Sequence, residues 1–168
     1  MRLISTALAT FAILCLSAPA WADARSDSQA LYRATIDARD SLIEIASTQF
    51  NGDTEAKALG DRIGVEVLTP LGGAFKIWFA AARAEVAQQT GEVVRGAKTG
   101  GEVSYAFDDY SGCMKASVTL GDYAHHFQSF LYGNEPSFNA REGAAPFIEA
   151  LGACKVALGV DAETGLAE

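Results

Sequence analysis

The amino-acid sequence predicts an all-α protein, a single-domain bundle of about five helices. Apolar residues recur at three- and four-residue intervals in several stretches, as they do on the buried face of a helix. Glycine, asparagine and proline separate these stretches. The chain of 168 residues is also long enough to enclose one hydrophobic core.

The first helix is predicted over residues 28–50. Its apolar stripe consists of Leu31, Ala34, Ala38, Leu42 and Ile45. Ser26, Asp27 and Ser28 are candidate N-caps, because their short side chains carry an oxygen that can accept a hydrogen bond from a free amide of the first turn. The loop at 51–53 is expected to end this helix.

The second and third helices are predicted after this loop. Asp53 is the expected cap of the second helix, whose stripe is Ala56, Leu59, Ile63 and Val67. Gly60 and Gly64 lie four residues apart, so this face could admit a closely packed helix or a second copy of the chain. Thr69 and Pro70 are predicted to begin the third helix, because proline suits the first helical position. The stripe of the third helix is Leu71, Phe75, Trp78, Ala82 and Val86.

Residues 91–104 interrupt the helical pattern. This segment contains four glycines and shows no helical period, which predicts a loop. A small β-hairpin near 92–105 is the alternative, with short strands at 92–95 and 102–105.

The fourth helix is predicted over about 109–132. Asp108 and Asp109 are its expected N-caps, and Gly133 with Asn134 is its expected stop. Its apolar face is predicted to consist of Cys113, Ala116, Leu120, Ala124, Phe127 and Leu131.

The fifth helix is predicted to end near Gly159. Asn139 and Glu142 fit a capping box at its start, and Pro146 is expected to begin or restart it. Its stripe is Phe147, Leu151, Cys154 and Leu158. The polar residues beyond Gly159 are expected to fray.

The N-terminal 22 residues are predicted to be a secretory signal peptide. Arg2 precedes an apolar run over residues 3–16, and small-residue cleavage sites end at Ala22 and Ala24. Cleavage after Ala22 would leave one mature domain, 23–168, in the periplasm or outside the cell. The most apolar later stretch, 71–87, carries three charges, so no integral membrane segment is expected in the mature chain.

The charge of the chain excludes some partners. Its formal net charge is −8, and it becomes more negative when Arg2 leaves with the signal peptide. An acidic surface repels phosphate backbones, so nucleic acid is not an expected partner. An anionic membrane surface is not expected for the same reason.

Cys113 and Cys154 are predicted to form a disulfide. Cys15, the third cysteine, lies in the predicted signal peptide, which leaves an even number in an oxidising compartment. Both residues lie on predicted apolar stripes, so their side chains are able to meet. The alternatives are two buried thiols or Cys113 as a nucleophile, a role that a disulfide would rule out.

Both histidines of the chain, His125 and His126, lie on the predicted fourth helix. At about 100° per residue they point away from the apolar face on opposite flanks, so both are expected to face solvent. Asp122 precedes His126 by four residues, a spacing that suits a surface ion pair. The alternative is a metal or proton-transfer site completed by Asp108 or Asp109. A helix break just before Asp122 would turn His126 inward.

Aromatic residues are concentrated between positions 105 and 138. Tyr123, Phe130 and Tyr132 lie at the edge of the apolar stripe, where amphipathic rings are common in binding surfaces. The region 105–138 is therefore the expected contact surface, with these three residues as its candidates, together with the glycine-rich segment at 95–101.

The sequence favours an exported, non-enzymatic binding or accessory protein that acts through a protein partner or a small ligand. It contains none of the common motifs for nucleotide binding, serine hydrolysis, zinc proteolysis, dithiol redox chemistry or haem attachment, so no cofactor is expected. One alternative is an exported metal-dependent or acid/base hydrolase that uses His125 or His126 with Asp108, Asp109 or Asp122. The other is an envelope protein that self-associates through Gly60 and Gly64.

Overall fold

The structure, a computed structural model, describes residues 23–94 and 105–160. It is mostly helical and has no strands within these ranges, which confirms the all-α prediction. The helices are α1 (Ala24–Ser47), α2 (Asp53–Arg62), α3 (Thr69–Val94), α4 (Ser111–Leu131) and α5 (Ala140–Leu158). The predicted signal peptide and the last eight residues lie outside the described part of the chain.

The prediction of five separate helices is wrong at Pro70. A π-helical segment, Ile63–Leu68, joins α2 to α3, so the described residues form four continuous helices. In an α-helix the proline ring would clash with the carbonyl four residues earlier. The wider π turn avoids this clash, because the backbone N–H of Thr69 donates to the Gly64 carbonyl five residues back. The Thr69 hydroxyl donates to the same oxygen over 2.8 Å.

The first strand of the predicted hairpin, 92–95, is wrong in its described part, because residues 92–94 are helical. Helix α3 extends to Val94, and residues 95–104 lie outside the described part of the chain. A short 3-10 helix, Ala106–Tyr110, then leads into α4. Glu85 of α3 stabilises the start of this segment, because its carboxylate accepts from the backbone N–H groups of Ala106 (2.8 Å) and Phe107 (3.3 Å).

The core is built from the predicted stripes. The stripes of α2, α4 and α5 are buried throughout, including the α2 stripe where it continues into the π segment. Helix α1 begins earlier than predicted, because Asp23 is its cap and accepts from the backbone N–H of Arg25 over 3.1 Å. Pro146 is accommodated inside α5 and does not begin it.

Helix α3 departs most from its predicted stripe. Only Leu71 and Trp78 are buried, and Val86 is 42 % exposed. By length and composition, the continuous helix Asp53–Gly91 would be able to cross a membrane, the one helix in the described residues of which this is true. Only 22 % of an 18-residue apolar window of that helix is buried. Much of the apolar surface of α3 is therefore uncovered.

The disulfide between Cys113 and Cys154 is present, as predicted. It joins the first turn of α4 to the last turns of α5, where the two Cα atoms are 4.4 Å apart. Neither cysteine is more than 1 % exposed. Cys113 therefore cannot act as a nucleophile in this oxidised state.

Ser28→Ala is expected to lower the free energy of unfolding by about 1–3 kcal/mol, because it leaves a buried donor without a partner. Trp78 Nε1 donates to the Ser28 hydroxyl over 2.8 Å, and Ser28 is fully buried. Urea unfolding would measure the change. Ser26→Ala, on the exposed side of the same helical turn, is the matched control and is expected to have almost no effect. Equal stabilities of the two variants would show that the hydrogen bond contributes nothing.

Candidate functional site

Three of the aromatic side chains form a ridge on the surface. The ring of Phe138, in the connection between α4 and α5, lies 5.1 Å from the ring of Tyr123 and 6.3 Å from that of Phe130. Phe127 supports the ridge from the core, with its ring 4.9 Å from that of Phe138. We call Tyr123, Phe130 and Phe138 the aromatic ridge. Tyr123 and Phe130 are two of the predicted candidate residues, and Phe138 lies at the end of the predicted 105–138 surface without having been singled out.

The first groove lies on the Tyr123 side of the ridge. Its volume is about 290 Å³, and its lining includes Tyr123, Phe138 and three carboxylates, those of Asp122, Glu135 and Glu142. No lysine or arginine is among the residues that line it. The groove is therefore electronegative, with aromatic rings on one wall.

Tyr123 lies against a glycine of α5. A side chain at Gly143 would place its Cβ 2.7 Å from the ring of Tyr123, so the ring can occupy this position only because residue 143 is glycine. Partial burial of the ring raises the pKa of the Tyr123 hydroxyl. The hydroxyl therefore remains protonated at neutral pH and can donate a hydrogen bond into the groove.

His126 lines the first groove but pairs with a different residue from the one predicted. Its Nδ1 atom is 3.1 Å from Oε1 of Glu135, whereas Asp122, the predicted partner, makes no ion pair in the described part of the chain. The side chain of His126 is 68 % exposed, because α4 continues through Gly121 without a break. No hydrogen bond within the described residues joins His126 to Ser137 or Thr119, the serine and threonine that line this groove.

The other predicted site residues do not assemble around His126. His125 lies in a second depression, between α3 and α4, whose lining includes Phe75 and also Asp122. Asp108 and Asp109 belong to the 3-10 segment before α4, roughly 25 Å from the histidines along the helix. They do not cap α4 through their side chains either. Within 23–94 and 105–160, no three His, Cys, Asp or Glu residues are grouped closely enough to hold a metal.

The second groove lies on the Phe130 side of the ridge. Its volume is about 610 Å³, and its lining includes Phe50, Asp53, Lys57, Phe130 and Tyr132. In contrast to the first groove, it presents side chains of both charges. Phe130 and Tyr132, two of the predicted binding-surface residues, therefore face one groove, while Tyr123 faces the other.

Tyr132 also fixes α4 against α2. Its ring covers Gly60, where a Cβ would lie 2.7 Å from the ring, and its hydroxyl donates to Oδ1 of Asp61 over 2.7 Å. Gln128 donates from its side-chain amide to the Gly60 carbonyl over 2.7 Å and also contacts Gly64. The face of Gly60 and Gly64 is therefore occupied by α4 of the same chain. Self-association through this face, as the sequence suggested, would require α4 to be displaced.

The contact between Tyr132 and Asp61 shifts both of their pKa values. The hydrogen bond from Tyr132, assisted by Lys57, holds the pKa of Asp61 below its ordinary value. The same hydrogen bond raises the pKa of Tyr132, because ionisation of the phenol would place two anions side by side.

Tyr132→Phe is expected to raise the pKa of Asp61 towards its ordinary value of 3.8, because the hydroxyl donor is lost. An NMR pH titration of the Asp61 carboxyl carbon would measure this change. A carboxylate whose pKa is depressed in the folded state stabilises the fold at neutral pH, and this contribution disappears as the pH falls below 3.8. The stability difference between the variant and the wild type should therefore shrink in acid. Tyr123→Phe is the control, and an unchanged pKa in Tyr132→Phe would contradict the assignment.

Comparison with known proteins finds no matching family model, no matching curated protein and no matching solved structure. The chemistry of the ridge and its two grooves is therefore the basis for assigning a function.

Proposed function

We propose that the protein is an exported, non-enzymatic binding or accessory protein that contacts its ligand through the aromatic ridge. The observation that carries this proposal is the position of Phe138, whose ring contacts Tyr123 of the first groove and Phe130 of the second. Tyrosine and phenylalanine rings supply large contact areas and are enriched at binding surfaces. The three ridge rings are half-buried against the core, so part of each ring remains accessible to a ligand.

The ligand presents a positively charged group to the first groove. Asp122, Glu135 and Glu142 supply negative charge there, without a lysine or arginine to neutralise it. The ring faces of Tyr123 and Phe138 add a further attraction for a cation. An amine of a small molecule and a basic side chain of a protein partner share this chemistry.

Titration with two probes tests the proposal and separates these two sources. Spermidine represents a small amine, and a short tri-lysine peptide represents a basic protein segment. We expect chemical-shift changes at the rings of Tyr123 and Phe138 with at least one probe, and none with a tri-glutamate peptide. The chemical-shift change at the Tyr123 ring should be lost in Phe138→Leu and in the double variant Glu135→Gln with Glu142→Gln. Phe79→Leu, an exposed aromatic residue on α3, is the control. Absence of any shift with both cationic probes would refute the proposal.

Export to the periplasm or the cell exterior is part of the same proposal. Support comes from the signal-like N-terminal sequence and from the disulfide, which persists in oxidising compartments. Cleavage after Ala22 would retain the cap Asp23 and the buried Ala24, whereas cleavage after Ala24 would remove both. Native mass spectrometry of periplasmic protein should therefore find Asp23 at the N-terminus. A mass that still includes residues 1–22 would contradict export through cleavage of a signal peptide.

An acid/base hydrolase is the second candidate. The observation that favours it is the pairing of His126 with Glu135 beside Asp122, since a carboxylate can orient a histidine for proton transfer. This candidate predicts a hydrolytic activity that is lost in His126→Ala and retained in His125→Ala. An activity that survives in His126→Ala would exclude this pair as its catalyst.

A further inference from the structure

The outward side of α3 carries a heptad seam of small and apolar residues. The exposed positions with alternating four- and three-residue spacing are Gly73, Ile77, Ala80, Ala84 and Ala87. This is the spacing by which one helix packs along another. Ile77 is 70 % exposed, and no described element of the chain covers the seam. The seam extends over about 21 Å, enough for two heptads of a partner helix.

The charges beside the seam are positive. Lys76 and Arg83 lie seven residues apart on the same flank, at the positions that form salt bridges between paired helices. The remaining charged side chain between Thr69 and Gly91 is Glu85, which is engaged with the amides of Ala106 and Phe107. The seam is therefore a basic and apolar surface on a chain whose net charge is −8.

The same flank borders an apolar groove between α3 and the start of α4. This groove has a volume of about 420 Å³, and its lining includes Phe79, Arg83, Val86, Tyr105 and Met114. The guanidinium of Arg83 lies 6.0 Å from the centre of the Phe79 ring. A partner helix that lies along the seam with a carboxylate beside Arg83 therefore also borders this apolar groove.

A second copy of the chain would not place carboxylates opposite Lys76 and Arg83. In an antiparallel pair of α3 helices, Lys76 and Arg83 would face the same cations of the other copy. In a parallel pair they would face Ala81 and Gln88. An anionic membrane would be repelled by the acidic remainder of the protein.

We propose that this face of α3 binds an amphipathic helix of a partner protein, one with small or apolar residues along its seam and carboxylates on its flank. The short side chains of the α3 seam allow the two helix axes to approach closely. Lys76 and Arg83 select the partner by charge, as flanking residues do in paired helices. This surface is separate from the aromatic ridge and does not depend on the function proposed for it.

Two synthetic helical peptides test this proposal on the mature, oxidised protein. Both carry the same three-heptad seam of alanine and leucine, and their flanks carry glutamate in one and lysine in the other. Fluorescence anisotropy should show about tenfold tighter binding of the acidic peptide at low salt. The charge reversal Lys76→Glu with Arg83→Glu should invert this preference, and Ala80→Glu should abolish binding of the acidic peptide. Lys115→Glu with Arg141→Glu, which reverses two exposed cations elsewhere, should leave the preference unchanged.

The proposal would be overturned if the acidic peptide did not bind, or if the two peptides bound equally well. It would also be overturned by a wild-type dimer that Ala80→Glu dissociates, since a second copy would then occupy the seam. Binding to phosphatidylglycerol vesicles that is lost in the charge reversal would likewise overturn it, in favour of a membrane. Circular dichroism would verify that each variant is folded. Phe138→Leu should not change peptide binding, so failure of the ridge proposal and failure of this one are distinguishable.

Discussion

Replacing Cys113 and Cys154 by alanine is expected to lower the free energy of unfolding by about 4 kcal/mol. The two cysteines are 41 residues apart in the sequence, and their disulfide closes a loop of that size in the unfolded chain. Losing the bond increases the conformational entropy of the unfolded state. Because both positions are almost fully buried, the double variant also loses packing between α4 and α5.

Urea unfolding of the oxidised wild type, the reduced wild type and the double variant would measure this effect. The reduced wild type retains the buried sulfur atoms, so its difference from the oxidised protein isolates the cross-link. We expect this difference to account for most of the loss. If the reduced and oxidised proteins were equally stable, the disulfide would not contribute to the stability of the fold.

The disulfide also bears on the candidate site. The closed loop contains every residue of the aromatic ridge, and both walls of the first groove belong to it. Separation of α4 from α5 would withdraw Gly143 from Tyr123 and Phe138 from Phe127. Reduction should therefore weaken binding at the ridge while leaving the seam on α3, which lies outside the loop, less affected.

The periodicity of the sequence predicts the buried faces of the helices because each face depends on residues close together in the chain. The stripe of α4 from Cys113 to Leu131 is confirmed at every position. The paired cysteines follow from the same stripes and from the expected compartment. In α3 the periodicity holds as far as Ala82, which packs partly against the core, and fails at Val86, where the helix borders a surface groove.

The structural features that the sequence did not reveal depend on contacts between distant residues. Glu85 caps a segment more than twenty positions later, and Tyr132 reaches across to Asp61. Phe138 lies within the predicted 105–138 surface but was not singled out, because periodicity gives no side-chain direction in a connection between helices. The π segment before Pro70 was missed because proline is typical of the first helical position and disfavoured in a helix interior, so Pro70 predicted a helix start.

Gly112→Ala is expected to destabilise the fold by about 1–3 kcal/mol, because a methyl group does not fit between α4 and α5. The added Cβ would lie 2.8 Å from the backbone nitrogen of Cys154 and 3.0 Å from the carbonyl carbon of Ala153. These are backbone atoms of a helix, which cannot move without shifting α5. The disulfide beside Gly112 holds the two helices together, so the strain cannot be relieved by separating them.

Gly152→Ala is the matched control, since it adds the same methyl group to α5 only two residues before Cys154. A Cβ at position 152 has no atom within 4 Å, and alanine favours a helix over glycine by about 1 kcal/mol. The two substitutions should therefore change the free energy of unfolding in opposite directions, as measured by urea unfolding of the oxidised proteins. If both stabilised the protein, helix propensity would outweigh packing at Gly112, and the close approach of α4 to α5 would not require glycine. If Gly112→Ala were destabilising only in the oxidised protein, the disulfide would be what prevents α5 from moving away.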